Sequence, residues 1–257
     1  MIINHNIPAV NTHRNMGLNN TAASKNMEKL SSGLRINRAA DDAAGLSISE
    51  NMRGQIRGLE QAQRNTQDGI SYVQTAEGAL NEVSSMLSRM KELKVQETNG
   101  TYTDTDKANI GQELKELTSQ IDNIMSNTTF NGININNTNG VGIATDDKGT
   151  LITIAAINTT SFVGLDSTVT LDKVNDAIKG VATERGKLGA VQNRLEYTSN
   201  NLGTTNENLT ASESRIRDTD MAKEMVALSK NNILLQASQS MLAQANSNPQ
   251  GVLSLLR

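Results

Sequence analysis

Apolar residues recur every seven positions along most of the chain. From Met52 the repeat runs through Leu59, Thr66, Val73, Leu80 and Leu87, with Ala62, Ala76, Val83 and Met90 three residues further on. A doubled seven-residue spacing marks a coiled-coil seam, because both positions stay on one face of a long helix. It predicts a helix from about Leu46 to Gln96, closed at Asn99-Gly100, where glycine can take the left-handed conformation that ends helices. After a turn offering Asp104 or Thr105 as N-cap, Ile110, Leu114, Leu117, Ile121 and Ile124 alternate spacings of four and three. They predict a second helix folding back on the first. A third repeat is the most regular: Val174, Val181, Leu188, Leu195, Leu202, Leu209 and Ile216. Its companions are mixed, Ala177 and Val191 being apolar but Glu184, Thr198, Thr205 and Ser212 polar, so this seam packs less tightly than one of Leu and Ile.

Both ends carry shorter stripes. Met16, Ala23 and Leu30 repeat at seven, as do Met27 and Leu34, and near the other end Met221, Leu228, Leu235 and Leu242 do the same. Each stripe alone buries too little to offset roughly 1–2 kcal/mol per residue of backbone ordering, so the simplest pairing sets one terminal stripe against the other. In the middle, Asn-Gly at 131–132 and 139–140 breaks the helical pattern. Thr145 to Gly149 reads as a hairpin turn before the β-branched run Thr150 to Ile154, the one strand-like region expected.

Composition sharpens this picture. In 257 residues there are 2 Phe, 3 Tyr and no Trp, so the core must be aliphatic. There is no cysteine, which excludes disulfides and thiolate chemistry. The net charge of -3 conceals an acidic middle: residues 99–170 hold 3 basic and 8 acidic groups. No basic footprint for nucleic acid is present, no apolar run is long enough to insert in a membrane, and no basic segment followed by an apolar run suggests a cleavable secretory signal.

Catalytic and cofactor motifs are missing too. His5 and His13 stand eight apart, roughly 80° around a helix, unlike the i, i+4 pairing of zinc ligands. There is no Gly-rich phosphate loop before a lysine and no Gly-x-Ser-x-Gly elbow. We therefore expect no enzyme, metal or cofactor. The acidic pairs Asp41-Asp42 and Asp218-x-Asp220 precede helical runs, where carboxylates cap free N–H groups. Each follows basic residues, Arg35 and Arg38 in one case, Arg215 and Arg217 in the other. The matching breaks suggest paired hinges where terminal helices join a central bundle.

Several long segments closely resemble bacterial flagellin: Leu30 to Leu46 (LSSGLRINRAADDAAGL), Asn65 to Ser71 (NTQDGIS), Ser214 to Ala222 (SRIRDTDMA), and the ending from Gln239 to Asn246 and Pro249 to Arg257. The resemblance covers all but about 137–170. It implies a mainly α fold: an elongated antiparallel coiled-coil helix bundle with a small β-hairpin region, its terminal helices pairing into an inner coiled coil on assembly. Residues 1–40 and 218–257 would form the two halves of the filament-core domain, disordered in the monomer. Residues 41–136 and 171–217 would form the rod, and 137–170 a hairpin or loop in place of outer domains.

The function so implied is a structural subunit that self-polymerises into the extracellular flagellar filament after export through the flagellar channel. The alternatives are a hook-filament junction protein or a soluble coiled-coil adaptor. The implied partners are other copies of the chain, the filament cap, hook-filament junction proteins and an export chaperone, the last at Met225, Leu228, Ile233, Leu234 and Leu235. A host Toll-like receptor would contact Arg89, Leu93 and Glu113, with Arg89 and Leu93 sharing an exposed face; Ser88 stands where recognised members usually carry Gln.

Overall fold

The computed structural model describes residues 5–166 and 168–255. Five helices and two small hairpins follow in the order α1 Ile7–Ser32, α2 Ala43–Glu97, α3 Asp104–Asn127, β1 Thr129–Phe130, β2 Ile133–Asn134, β3 Val141–Ala144, β4 Leu151–Ile154, α4 Leu171–Arg217 and α5 Met221–Leu255. The chain divides into two units, one of residues 1–54 and 208–257, the other of residues 55–207.

The second unit holds the main core. Val73, Leu80, Val83, Leu87 and Met90 of α2, Leu114 and Met125 of α3, and Val174, Val181 and Leu195 of α4 are fully buried. All but Met125 lie on the seams read from the sequence; on α3 Met125 is buried, whereas Leu117 and Ile124 are only half-buried. Helix α2 buries a third stripe as well, Tyr72, Ala79 and Leu93 with Met86 half-buried. It packs between two helices, and a two-position seam covers only one. Ion pairs from Arg89 to Glu113 at 3.0 Å and from Arg185 to Glu77 at 3.3 Å join α2 to α3 and to α4. The polar companions on α4 behave as their chemistry requires: Glu184 is buried, with an oxygen 2.8 Å from Lys187 Nζ, and Thr198 donates its hydroxyl to Arg194 O.

The middle of the chain forms two antiparallel hairpins rather than one. β3 pairs with β4 around the expected turn at Asp146 to Gly149. The additional hairpin, β1 with β2, turns through Asn131 (φ 51°) and Gly132 (φ 78°). Two successive positive φ values match the right-handed twist of paired strands, which is why Asn-Gly closes two-residue hairpins rather than merely ending a helix. Phe130 meets the buried Tyr72 edge-on, ring centroids 6.0 Å apart, and Phe162 is wholly buried. The Tyr72–Phe130 contact thus seals the β1–β2 hairpin onto α2.

Helix ends explain the remaining local structure. Thr103, not Asp104 or Thr105, caps α3: its hydroxyl accepts from Asp106 N–H while the Asp106 carboxylate accepts from Thr103 N–H. This reciprocal box satisfies two free donors, which a lone cap one residue later does not. The Thr103 hydroxyl and amide also hold the Asp106 carboxyl below its ordinary pKa. Gly100 is not left-handed; the left-handed C-cap is Gly33 (φ 71°), which closes α1. Asp42 caps α2 by accepting from Gly45 N–H at 2.8 Å, and Asp220 caps α5 by accepting from Lys223 N–H at 3.1 Å. Asp41 accepts from the backbone N–H of Arg38 and Asn37, and the Arg38 bond is the main cause of its lowered pKa.

Leu87→Ala is expected to cost about 2–5 kcal/mol, as large-to-small changes in packed cores do, and exposed Val95→Ala less than about 0.5 kcal/mol; urea titration of helicity separates the two. For Asp41 the folded pKa lies below the ordinary 3.8. Its stabilisation is therefore present at neutral pH and is lost as pH falls through the folded value. The melting-temperature difference between the native chain and Asp41→Asn should narrow below about pH 4.

Candidate functional site

The breaks at 33–42 and 218–220 lie beside each other in the first unit. Leu34 and Asp218 form an antiparallel bridge, flanked by Arg35 N–H donating to Arg217 O at 2.6 Å and Thr219 N–H donating to Gly33 O at 3.0 Å. The Arg35 guanidinium reaches the carbonyl of Ile216, its Nε at 3.1 Å. Two strands leaving helices would otherwise expose their backbone polar groups; each here satisfies the other. Ile36, fully buried, anchors the crossing.

The charged residues around it divide their roles. Arg217, its side chain 12% exposed, pairs with Glu50 of α2, and its Nε has no hydrogen-bond partner. Arg38 pairs with Glu28 of α1 at 2.9 Å. Asp218 accepts from the Ser214 hydroxyl at 2.6 Å, and Arg215 donates to the Ser212 hydroxyl at 2.9 Å. Of the eight residues singled out by sequence, Arg35, Arg217 and Asp218 meet at the crossing, whereas Asp41, Asp42 and Asp220 cap neighbouring turns. Sequence spacing missed Glu50 and Ile36, which lack a repeat to mark them.

Beyond the crossing, α1 and α5 pack along each other. The more protected side of α1 runs through Ala9, Thr12, Met16, Asn19, Ala23, Asn26 and Leu30, and that of α5 through Glu224, Leu228, Asn231, Leu235, Ser238, Leu242 and Ala245. Both alternate spacings of three and four, as a coiled-coil seam does. Outside this seam much apolar surface remains: Ile7, Val10 and Leu18 on α1 and Val226, Ile233 and Met241 on α5 are each more than 60% exposed. Of the five α5 residues singled out by sequence, Met225, Ile233 and Leu234 are exposed, while Leu228 and Leu235 turn into the seam.

The Arg89 neighbourhood differs from its sequence reading. Arg89 and Glu113 are exposed and ion-paired, and Arg89 also meets Glu92 at 3.1 Å. Both carboxylates raise the pKa of the Arg89 guanidinium, Glu113 more. Leu93 does not share this face. It is 1% exposed, because it belongs to the third buried stripe of α2.

Among the described residues no group of three or more His, Cys, Asp or Glu is placed to hold a metal ion, and no helix is long and apolar enough to cross a membrane. What the molecule offers is extended helical surface.

Two families match the chain: residues 3–139 correspond to the bacterial flagellin N-terminal helical region and residues 171–256 to the bacterial flagellin C-terminal helical region. The unmatched stretch holds the β3–β4 hairpin. A flagellin of Halalkalibacterium halodurans is 52% identical and one of Bacillus subtilis 49% identical, each alignment covering 100% of both chains. A flagellar filament 33 kDa core protein of Treponema phagedenis is 46% identical, again over 100% of both. With both terminal helical regions present and full-length identity near one half, the chain belongs to the bacterial flagellin family.

Proposed function

We propose that this chain, a structural and non-enzymatic subunit, builds the flagellar filament used for motility by adding copy upon copy after export through the flagellar channel. The observation that carries this is the apolar surface left on α1 and α5 once their mutual seam is filled. An amphipathic helix in water hides its apolar stripe against one neighbour. These two helices satisfy that need with each other and still present Ile7, Val10, Leu18, Val226, Ile233 and Met241, which suits seats for further copies. A junction protein present in few copies has less use for such a surface, and a soluble adaptor would leave it wet.

During export the same surface needs shelter. The exposed Met225, Ile233 and Leu234 suit an export chaperone that takes an amphipathic helix into an apolar groove. At the distal end a cap would hold the last copies added, and at the base hook-filament junction proteins would hold the first. Arg89 and Glu113 offer a Toll-like receptor an exposed charged pair. Leu93 supports that site from beneath instead of touching a partner.

Purified full-length chain seeded with filament fragments should elongate into filaments visible by electron microscopy, and removal of residues 218–257 should abolish elongation. A chain that never elongates from seeds would remove the filament reading. In a receptor-reporter assay, Arg89→Ala with Glu113→Ala should lower the response at least tenfold while Leu93 is left native; an undiminished response would clear these residues of the role. Adding Leu93→Ala would confound the assay by opening a core cavity.

A further inference from the structure

A proline inside a helix withholds the N–H that the carbonyl four residues earlier would accept. Pro249 stands within α5, so the carbonyl deprived of its usual donor is Ala245 O. Asn6, from the other end of the chain, supplies a replacement: its Nδ2 donates to Ala245 O at 2.8 Å. The same side chain is the N-cap of α1, its Oδ1 accepting from Ala9 N–H at 3.2 Å. One half-buried carboxamide thus completes the hydrogen bonding of two helices.

The other proline lies at the same place. Pro8 and Pro249 are the 2 prolines of the chain, and both line one cavity of about 420 Å³ with Asn6, Ile7 and Met241. Pro8 belongs to the first turn of α1, where a missing N–H removes no helical bond. Pro249 belongs to a helix interior, where it does. At this end of the pair α1 is self-sufficient once capped, whereas α5 needs a donor from outside.

We propose that Asn6 and Pro249 form a clasp that makes the far end of α5 depend on α1. Alone, α5 carries a proline and, one turn before it, a carbonyl its own backbone does not serve, so its last turns are weakly held. With α1 alongside, the Asn6 amide serves that carbonyl. The helix pair is then closed at both ends, by the Leu34–Asp218 bridge at one and by the clasp at the other. Pro249 works against ordering of α5 by itself, and Asn6 lifts that restraint only where the two ends of the chain meet. The use of such a clasp rests on the filament reading, in which a subunit exported as an open strand gains from terminal helices that order in one step. Its chemistry is intramolecular and does not depend on that reading.

Two substitutions separate the jobs. Asn6→Ser keeps a hydroxyl that caps α1 but is too short to reach Ala245 O at the same time. Pro249→Ala restores the intrahelical N–H to Ala245 O and makes the outside donor redundant. Hydrogen exchange over residues 243–251, read by mass spectrometry, follows the far end of α5. It is measured on full-length chain in polymer grown from seeds or, where no polymer forms, in solution. Failure to elongate from seeds counts against the filament reading alone, and the exchange pattern against the clasp alone.

Asn6→Ser should speed exchange there about fivefold or more, the factor that the loss of one ordinary hydrogen bond gives. Pro249→Ala should slow it. In the Pro249→Ala background Asn6→Ser should change it by less than about twofold, because coupled residues are not additive when one has lost its role. Equal acceleration in both backgrounds would leave Asn6 as a cap of α1 only and overturn the clasp. So would no acceleration in either, or a native chain whose residues 243–251 exchange without protection in polymer and in solution alike.

Discussion

A long helix in water is stable only where its apolar stripe is covered, and every feature of this chain follows from how its stripes are covered. Aliphatic side chains seven residues apart give continuous strips with no centre. A core made of strips can extend along α2 and α4 as far as the repeat continues. Tyr72 and Phe130, which would nucleate a globular interior, meet where the β1–β2 hairpin seals against α2.

The strips differ in composition, and that difference allocates their roles. In the second unit Val73, Leu80, Leu87 and their partners exclude water almost completely. In the first, the amides and hydroxyls of Thr12, Asn19, Asn26, Asn231 and Ser238 interrupt the apolar residues of the α1–α5 seam. The dry strip supplies stability through burial, whose worth scales with area and is indifferent to direction. The mixed strip supplies less of that and more geometry, since hydrogen bonds reward only one placement.

Much of this was legible in the sequence because periodicity is a direct image of burial. Met52 to Leu87 and Val174 to Ile216 announced α2 and α4, and the acidic pairs announced helix starts at Asp42 and Asp220. What the sequence hid were properties of packing between elements. Leu93 read as an exposed neighbour of Arg89 because one seam was in view, while α2 is covered on two sides. Asn131-Gly132 read as a break because the strands it joins are only two residues each. Asn26, whose amide meets Glu224 and Asn231 across the α1–α5 seam, carried no signal of its own. Its partners lie some two hundred positions away, and nothing local distinguishes it from the other asparagines of an Asn-rich chain.

The crossing of Leu34 and Asp218 has a mechanical consequence. The outgoing and returning strands run antiparallel there, tied by transverse hydrogen bonds from Arg35 N–H to Arg217 O and from Thr219 N–H to Gly33 O. Tension along the strands travels through covalent backbone and does not load those ties. Bending does load them, because two tied strands flex only by shearing against each other. The joint therefore behaves as a composite beam: thin enough to consist of two extended segments, yet stiffer than the sum of the two.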